Sequence, residues 1–401
     1  MNICIFEDFS ISGLSPVNHL RHTSEIICGA VSLKEKIEFY FEPKHTSLYS
    51  RNYLSRYLKE KFPECKVNNI SSKEMLFLNA RVVFNRSLAE IILKRSKPVV
   101  WIKEGNIIAI FTNGKLTEKL NNIFSSKPVQ LADFINIEIE KIELKDDVKI
   151  LGYTSDIVNF SESELRTDLK EIFKVKKKPA ISPKCDISKH SVLDSSGGEI
   201  YIGKNTVIEP FCFIKGPVYI GNNCTVRSGS TIYGPVRIGD NCKVSGEITY
   251  TTMHSYVNKQ HNGFLGHSYL SEWVNLGAGT TTSNLKNNYS EIILNIGGNN
   301  INTNSIFLGS IIGDHTKTGI QTMLNTGCLI GVSSNIFGSG YHKKIIKSFS
   351  WAYSSGKTIN YEYEKALNTA KVSMNRRNVD MSGAYEEMFK YLYENRDKMT
   401  V

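Results

Sequence analysis

The chain has no cysteine pair spaced as CxxC. Its eight cysteines, Cys4, Cys28, Cys65, Cys185, Cys212, Cys224, Cys242 and Cys328, are scattered. That spacing argues against a cysteine-ligated metal and reads as reduced thiols in a cytoplasmic protein. No run approaches the roughly 18 apolar residues of a membrane span, so none is expected. The start, Met1-Asn2-Ile3-Cys4-Ile5-Phe6 followed by Glu7-Asp8, has no charged stretch before an apolar one. It reads as a first strand rather than a secretory signal. Acidic residues are in deficit, 39 against 49 lysines and arginines, for a net charge of +10. Nucleic acid, membrane surfaces and phosphorylated small molecules all suit such a balance. The lysines are spread widely, with one dense run from Lys174 to Lys178 ahead of Pro179 and Pro183. That run reads as a solvated linker, and no nucleic-acid partner is expected.

What the chain does have is a period of six. An aliphatic residue recurs at Ile202, Ile208, Ile214, Ile220, Val226, Ile232, Ile238 and Val244. The same step returns at Ile306, Ile312, Thr318, Leu324, Ile330 and Ile336. Neither a helix nor an ordinary strand has this period, whereas a parallel β-helix of hexapeptides does. Three hexads close one triangular coil, with the aliphatic side chain pointing into the shaft. This solenoid commonly carries acyl-transfer sites and assembles as a trimer.

The expected organisation has three parts. Residues 1–178 alternate strand and helix signals and read as an α/β domain. Met75 to Leu78 and Pro98 to Ile102 read as strands, Tyr53 to Phe62 and Ser161 to Phe173 as helices. Ile107 to Phe111 followed by Asn113-Gly114 suggests a hairpin. Residues 179–340 are the solenoid. Its hexads break between about Thr249 and Ser268, which must loop out or distort a coil, and such breaks often carry a site. Residues 341–401 form a helical tail, with Gly383 as its expected interruption.

Acyl transfer from a thioester to an amine needs a base and donors for the oxyanion. His261 lies in the broken stretch, and histidine suits the first role. Gly277-Ala278-Gly279 follows, a turn that lets a thin ligand approach backbone N–H groups. Either feature alone has an ordinary reading, a loop histidine or a tight turn.

Together the segments resemble the acetyltransferase half of the bacterial bifunctional glucosamine-1-phosphate acetyltransferase / N-acetylglucosamine-1-phosphate uridylyltransferase family. The phrases that carry the likeness are His261-Asn262-Gly263-Phe264-Leu265-Gly266, Asn275-Leu276-Gly277-Ala278-Gly279-Thr280 and Ser283-Asn284. A divergent branch of sugar nucleotidyltransferases is similar along nearly the whole chain, through Gly313-Asp314-His315-Thr316-Lys317, Asn335 to Gly340 and Ser348-Phe349-Ser350-Trp351. The resemblance implies His261 as catalytic base. It implies Arg227, Asn275 and Asn284 as substrate contacts, and Gly277, Ala278, Gly279 and Ser310 as coenzyme contacts. Three positions depart from the family: a substrate-binding Lys falls on Thr249, and two Tyr fall on Phe264 and Leu285.

The family's Gly-rich phosphate loop is missing from the first domain. Leu14 to Arg21 stands in its place, and similarity to the branch implies Arg21 as a triphosphate contact, with a surface arginine as the alternative. Metal ligands are unknown, with Asp8 or Asp156 open choices. The resemblance therefore implies a Rossmann-like nucleotidyltransferase domain followed by a left-handed parallel β-helix and a helical tail, in a homotrimer. The implied chemistry is acetyl-CoA-dependent N-acetylation of an amino sugar coupled to nucleotidylation of a sugar 1-phosphate, using Mg²⁺ and a nucleoside triphosphate such as UTP. The alternatives are an acyltransferase with a degenerate first domain, and a non-catalytic trimer that binds sugar nucleotides.

Overall fold

The computed structural model describes residues 1–401 apart from 71–73, 96, 127, 177, 339 and 400. Lys177 of the lysine run and Ser339 of the Asn335–Gly340 phrase lie outside the described residues. The chain groups into two compact units. Met1–Leu14, Leu20–Ile26 and Val31–Gly152 form the first, and Ser15–His19, Ile27–Ala30 and Tyr153–Val401 the second.

The first unit is built on a seven-stranded sheet ordered β3-β2-β1-β4-β6-β5-β7. The strands are β1 Asn2–Phe6, β2 His45–Tyr49, β3 Lys66–Val67, β4 Glu74–Asn79, β5 Val99–Lys103, β6 Asn106–Asn113 and β7 Glu140–Glu143. The first four run parallel, and β6 lies antiparallel to both β4 and β5. Both faces are covered, as parallel sheets require. Ile3 and Ile5 pack in one core with Ile37 and Phe41 of α1 (Leu33–Phe41) and Leu88 and Ile92 of α3 (Arg86–Leu93), while the short α2 is Ser55–Lys61. Cys4 and Phe6 face the other way, onto Leu120 and Phe124 of α4 (Gly114–Ser126). Ser32 and Glu35 start α1 with a capping box, and Asn85 caps α3. The hairpin expected after Phe111 turns earlier. Its β5–β6 turn is Glu104-Gly105, both at positive φ. Asn113 ends β6, and Gly114 opens α4.

The end of β1 delivers two buried carboxylates. Glu7 accepts from the Thr23 N–H at 2.8 Å and from Arg51 Nη2 at 2.9 Å. Burial alone would raise its pKa. The Arg51 and His22 charges and the Arg51 and Thr23 hydrogen bonds overcome that and hold it at about 2, against an ordinary 4.5. A carboxylate with a depressed folded pKa stabilises the fold above its unfolded value and loses that contribution as pH falls through the folded one. Acid melts of the protein should therefore steepen between pH 4.5 and 2. Glu7→Gln should melt lower at neutral pH and converge on the parent near pH 2. Parallel pH profiles for the two proteins would show that the network adds nothing.

In the second unit, α5 (Thr154–Glu171) precedes the solenoid, and α6 (Tyr363–Asn375) and α7 (Gly383–Asn395) follow it. α5 starts seven residues before the expected Ser161, because Asp156 accepts the Tyr153 N–H and sets its first turn. Gly383 does not interrupt the tail. It opens α7 behind its Ser382 cap, and the break is 376–382. The hexad aliphatics from Ile202 to Val244 are buried in one continuous core. Each such side chain contributes about 1.5–3 kcal/mol on burial. Ile306 is the exception at 37% exposed. Successive coils stack eighteen residues apart, as Ile208 on Val226 on Val244. Asn205, Asn223 and Asn241 turn one corner in the left-handed region, which asparagine tolerates better than most residues.

The expected break does not loop out. Residues 249–268 stay in the wall as shortened coils: Val244 faces Lys259, Ile248 faces Leu265 and Met253 faces Leu270. The insertion comes later. Leu270 faces Ile312 and Thr282 faces Leu324. Between Asn284 and Phe307 the chain leaves the wall and forms the hairpin Ile293–Ile296 with Asn299–Asn302.

Candidate functional site

The register of the coils brings most of the expected residues to one corner of the solenoid. Arg227 Nη2 donates to Gln260 Oε1 at 3.2 Å, so Arg227 lies beside the residue that precedes His261. Its charge is balanced by Glu209, which accepts from Nη1 at 2.7 Å. One rung along, Asn258 Nδ2 donates to Asn275 Oδ1 at 2.6 Å. Asn275 in turn bridges to Lys317 on the following coil. Arg227, Gln260, His261, Asn275 and the Gly277–Gly279 turn thus occupy neighbouring coils.

His261 is exposed. The turn that presents it is fixed from inside by Lys259, 1% exposed, which stands in the shaft where the earlier coil has Val244. Its Nζ donates to the carbonyls of His261 at 2.8 Å and Asn262 at 3.1 Å. Burial lowers its pKa to about 8. Gly263 completes the turn at φ +118, where a Cβ would meet the Thr280 carbonyl at 2.2 Å.

The Gly-Ala-Gly turn has two different glycines. Gly277 is required by coil packing, since a Cβ would lie 2.5 Å from the Gly319 carbonyl. Gly279 is at φ +71. Gln321 N–H donates to the Ala278 carbonyl at 2.7 Å. Among the described residues, the N–H groups of Ala278 and Gly279 have no protein acceptor. They are donors available to a ligand oxygen at the His261 corner.

Two expected residues have other partners. Asn284 Nδ2 is 2.9 Å from His267 Nδ1. His267, which sequence reasoning missed, is stacked between Tyr250 at 4.5 Å and Phe307 at 4.9 Å. Burial pushes its pKa down to about 4. Ser310 is 0% exposed, with its side chain in the interior and its N–H bonded to Ser268.

In the first unit, Arg21 is buried at 2% exposure, so the surface alternative fails. Its carbonyl accepts from Arg51, and its charge helps hold Glu25 ionised. The two open metal choices fare no better. Asp8 is clamped by Arg81, Nε to Oδ1 at 2.8 Å and Nη2 to Oδ2 at 2.6 Å, with Asn79 adding a third bond. Asp156 caps α5. Among the described residues no three His, Cys, Asp or Glu side chains group as a metal site. A divalent cation here would depend on the phosphates of a bound nucleotide for most of its ligands.

Two family models match the chain, and the first runs past Gly152, where the first compact unit ends. Residues 3–177 match the family of sugar nucleotidyl transferases, and residues 199–234 match the bacterial transferase hexapeptide family. The chain is similar to a bifunctional sugar-1-phosphate nucleotidylyltransferase/acetyltransferase of Sulfurisphaera tokodaii, 36% identical over 77 residues, 19% of either chain. It is similar to the bifunctional protein GlmU of Methanococcus vannielii, 33% identical over 99 residues, 25% of this chain and 24% of that one. The matches thus span a fifth to a quarter of these relatives' length. A solved UDP-N-acetylglucosamine acyltransferase of Francisella novicida is 15% identical with a TM-score of 0.30, covering 55% of this chain and 88% of that one. One chain thus carries a stretch that matches sugar nucleotidyl transferases, followed by a stretch that matches hexapeptide-repeat transferases.

Proposed function

We propose that the chain serves nucleotide-sugar synthesis, with acetyl-CoA-dependent N-acetylation of an amino sugar at the solenoid corner and nucleotidylation of a sugar 1-phosphate in the first domain. The observation that carries it is the meeting of His261 with the unpaired N–H groups of Ala278 and Gly279 on adjoining coils. His261 would take the proton as the amine attacks, and the N–H groups would receive the oxyanion. When bound, acetyl-CoA supplies the activated acyl group. Arg227 and Asn275 would orient the sugar.

The working particle is a homotrimer. Ile320, Met323 and Tyr341 are exposed on the coils that follow the Ala278 turn, an apolar surface suited to a neighbouring copy. A second reading keeps only the acyltransferase. It is favoured by the clamp on Asp8, which among the described residues leaves no carboxylate cluster for a metal-bound triphosphate. One experiment tests all of this. Purified protein is incubated with acetyl-CoA, a panel of amino sugars and their phosphates, and nucleoside triphosphates with Mg²⁺, including UTP. Products are read by mass, and particle size by light scattering. N-acetylated sugar from a trimer is expected, with nucleotide sugar formed as well. Acetylation alone selects the second reading, acetylation by a single-chain particle overturns the trimer, and no acetylation overturns the site assignment.

A further inference from the structure

A cleft of about 510 Å³ lies where α6 meets the solenoid. Lys243 and Lys317 project into it from one outward column of the coils, which runs Lys243, Asn258, Asn275, Lys317. Three coil spacings of about 4.8 Å separate the two lysines, and their side chains are long enough to converge on one group between them. Arg376 and Arg377, at the C-terminal end of α6, face the same space. The helix dipole gives an arginine there an ordinary reason to exist. It does not explain two lysines on the opposite wall.

Among the described residues no carboxylate lines the cleft. Asp240 and Glu272 are near Tyr256 without reaching the lining. Among the described residues, none of the four cations forms an ion pair. Burial lowers the pKa of Lys243, and the charges of Arg377, Arg227 and Arg376 lower it further. Lys317 gives Nζ bonds only to the carbonyls of His315 at 2.9 Å and Trp273 at 3.4 Å. Arg376 and Arg377 repel Lys243 across the cleft, whereas burial alone acts on Lys317, and an anion between the cations would remove both costs.

The wall also has a flat apolar part. Tyr256 stacks on Trp273 at 4.0 Å and 10°. Both sit at the corner that asparagine turns in earlier coils, at φ +63 each. Bulky side chains in that conformation are uncommon and strained, and such strain collects at functional sites. Trp273 is largely covered, whereas the Tyr256 ring borders the cleft.

We propose that this cleft binds a nucleoside diphosphate, with Lys243, Lys317, Arg376 and Arg377 holding the phosphates and Tyr256 forming the wall beside the base. Asn258 offers its carboxamide oxygen, which has no partner, to the sugar hydroxyls. The inference stands on the cleft and holds whether or not His261 catalyses acyl transfer. Such chemistry is shared by the nucleotide end of coenzyme A and by sugar nucleotides.

The test is calorimetry on the full chain at low salt, with UDP, adenosine 3′,5′-diphosphate and inorganic pyrophosphate as probes. The first unit is itself a nucleotidyl transferase domain, so the readout is the site that changes in variants of the second. Arg376→Gln/Arg377→Gln should weaken one nucleotide site by about tenfold or more, the scale of charged hydrogen bonds lost. Lys243→Gln, a change on the solenoid wall that leaves the helices untouched, should do the same. Loss confined to the adenosine probe assigns the cleft to the coenzyme, and loss confined to UDP assigns it to a sugar nucleotide. Unchanged affinity for both nucleotides in both variants would overturn the proposal. So would a loss seen with pyrophosphate only.

Discussion

His261→Ala is expected to lower turnover of an accepted amino sugar by about 10²–10⁴-fold, the usual contribution of a general base. Affinity for acetyl-CoA should stay nearly unchanged, because the coenzyme's contacts would be the Ala278 and Gly279 N–H groups and not the imidazole. The split between kcat and binding is what separates catalysis from structure. The variant should also fold normally. The His261 side chain is exposed, and the turn is held by Lys259 through backbone carbonyls that alanine keeps. The other histidine near the expected contacts is a poor substitute. Burial holds His267 at a pKa of about 4, too weak a base to draw a proton from an attacking amine. Steady-state kinetics on parent and variant, with single-site acetyl-CoA binding measured separately, decide the matter. Full activity in His261→Ala would return that residue to the role of a loop histidine.

The solenoid was legible because its code is burial at a fixed period. Eight successive anchors point into one shaft, and no other fold imposes a six-residue step. The apparent break at 249–268 begins where a coil shortens, with Ile232 facing Ile248, and one residue prolongs it. Lys259 occupies an anchor slot, and a reader of hydrophobic pattern sees a charged residue there as the end of the coil. The carbonyls that satisfy it are three-dimensional facts. The true insertion at 285–307 gave no signal, since its hairpin has ordinary polar composition. Coil lengths of 15 and 17 residues could not be assigned without knowing which residue faces which.

The site shows the same limit. Arg227, His261, Asn275 and Ala278 were reachable through resemblance, and the structure brings them to one corner. Asn284 and Ser310 came from the same resemblance, and their side chains are engaged otherwise, one beside His267 and one fully buried. The basic cleft was invisible for a different reason. Lys243, Lys317 and the Arg376–Arg377 pair are far apart in the chain, and only the rung register and the return of α6 gather them. Net charge had suggested an anionic small molecule without locating it.

The second large effect is expected in the first unit. Arg81→Met should destabilise it by about 3–5 kcal/mol, because it leaves the Asp8 carboxylate buried without its cation. Asp8 is 6% exposed and Arg81 2%. The guanidinium also serves the Leu151 carbonyl at 3.0 Å and Asn106 at 3.0 Å, so several acceptors lose their donor together. For a domain of this size each kcal/mol moves the midpoint by about 2–4 °C. A fall of roughly 6–20 °C in the transition of the first unit is therefore expected. Asp8→Asn combined with Arg81→Met should recover part of the loss, since removing both charges spares the uncompensated one. Thermal melts of the parent and the two variants, with and without Mg²⁺, give the answer. In the parent Mg²⁺ should leave the midpoint unmoved, because the carboxylate is already committed to Arg81. A loss below 1 kcal/mol in Arg81→Met, or a parent midpoint that rises with Mg²⁺, would mean that the clamp opens readily. Asp8 would then become a credible metal ligand, and the coupled nucleotidyl transfer would regain the carboxylate that the closed clamp denies it.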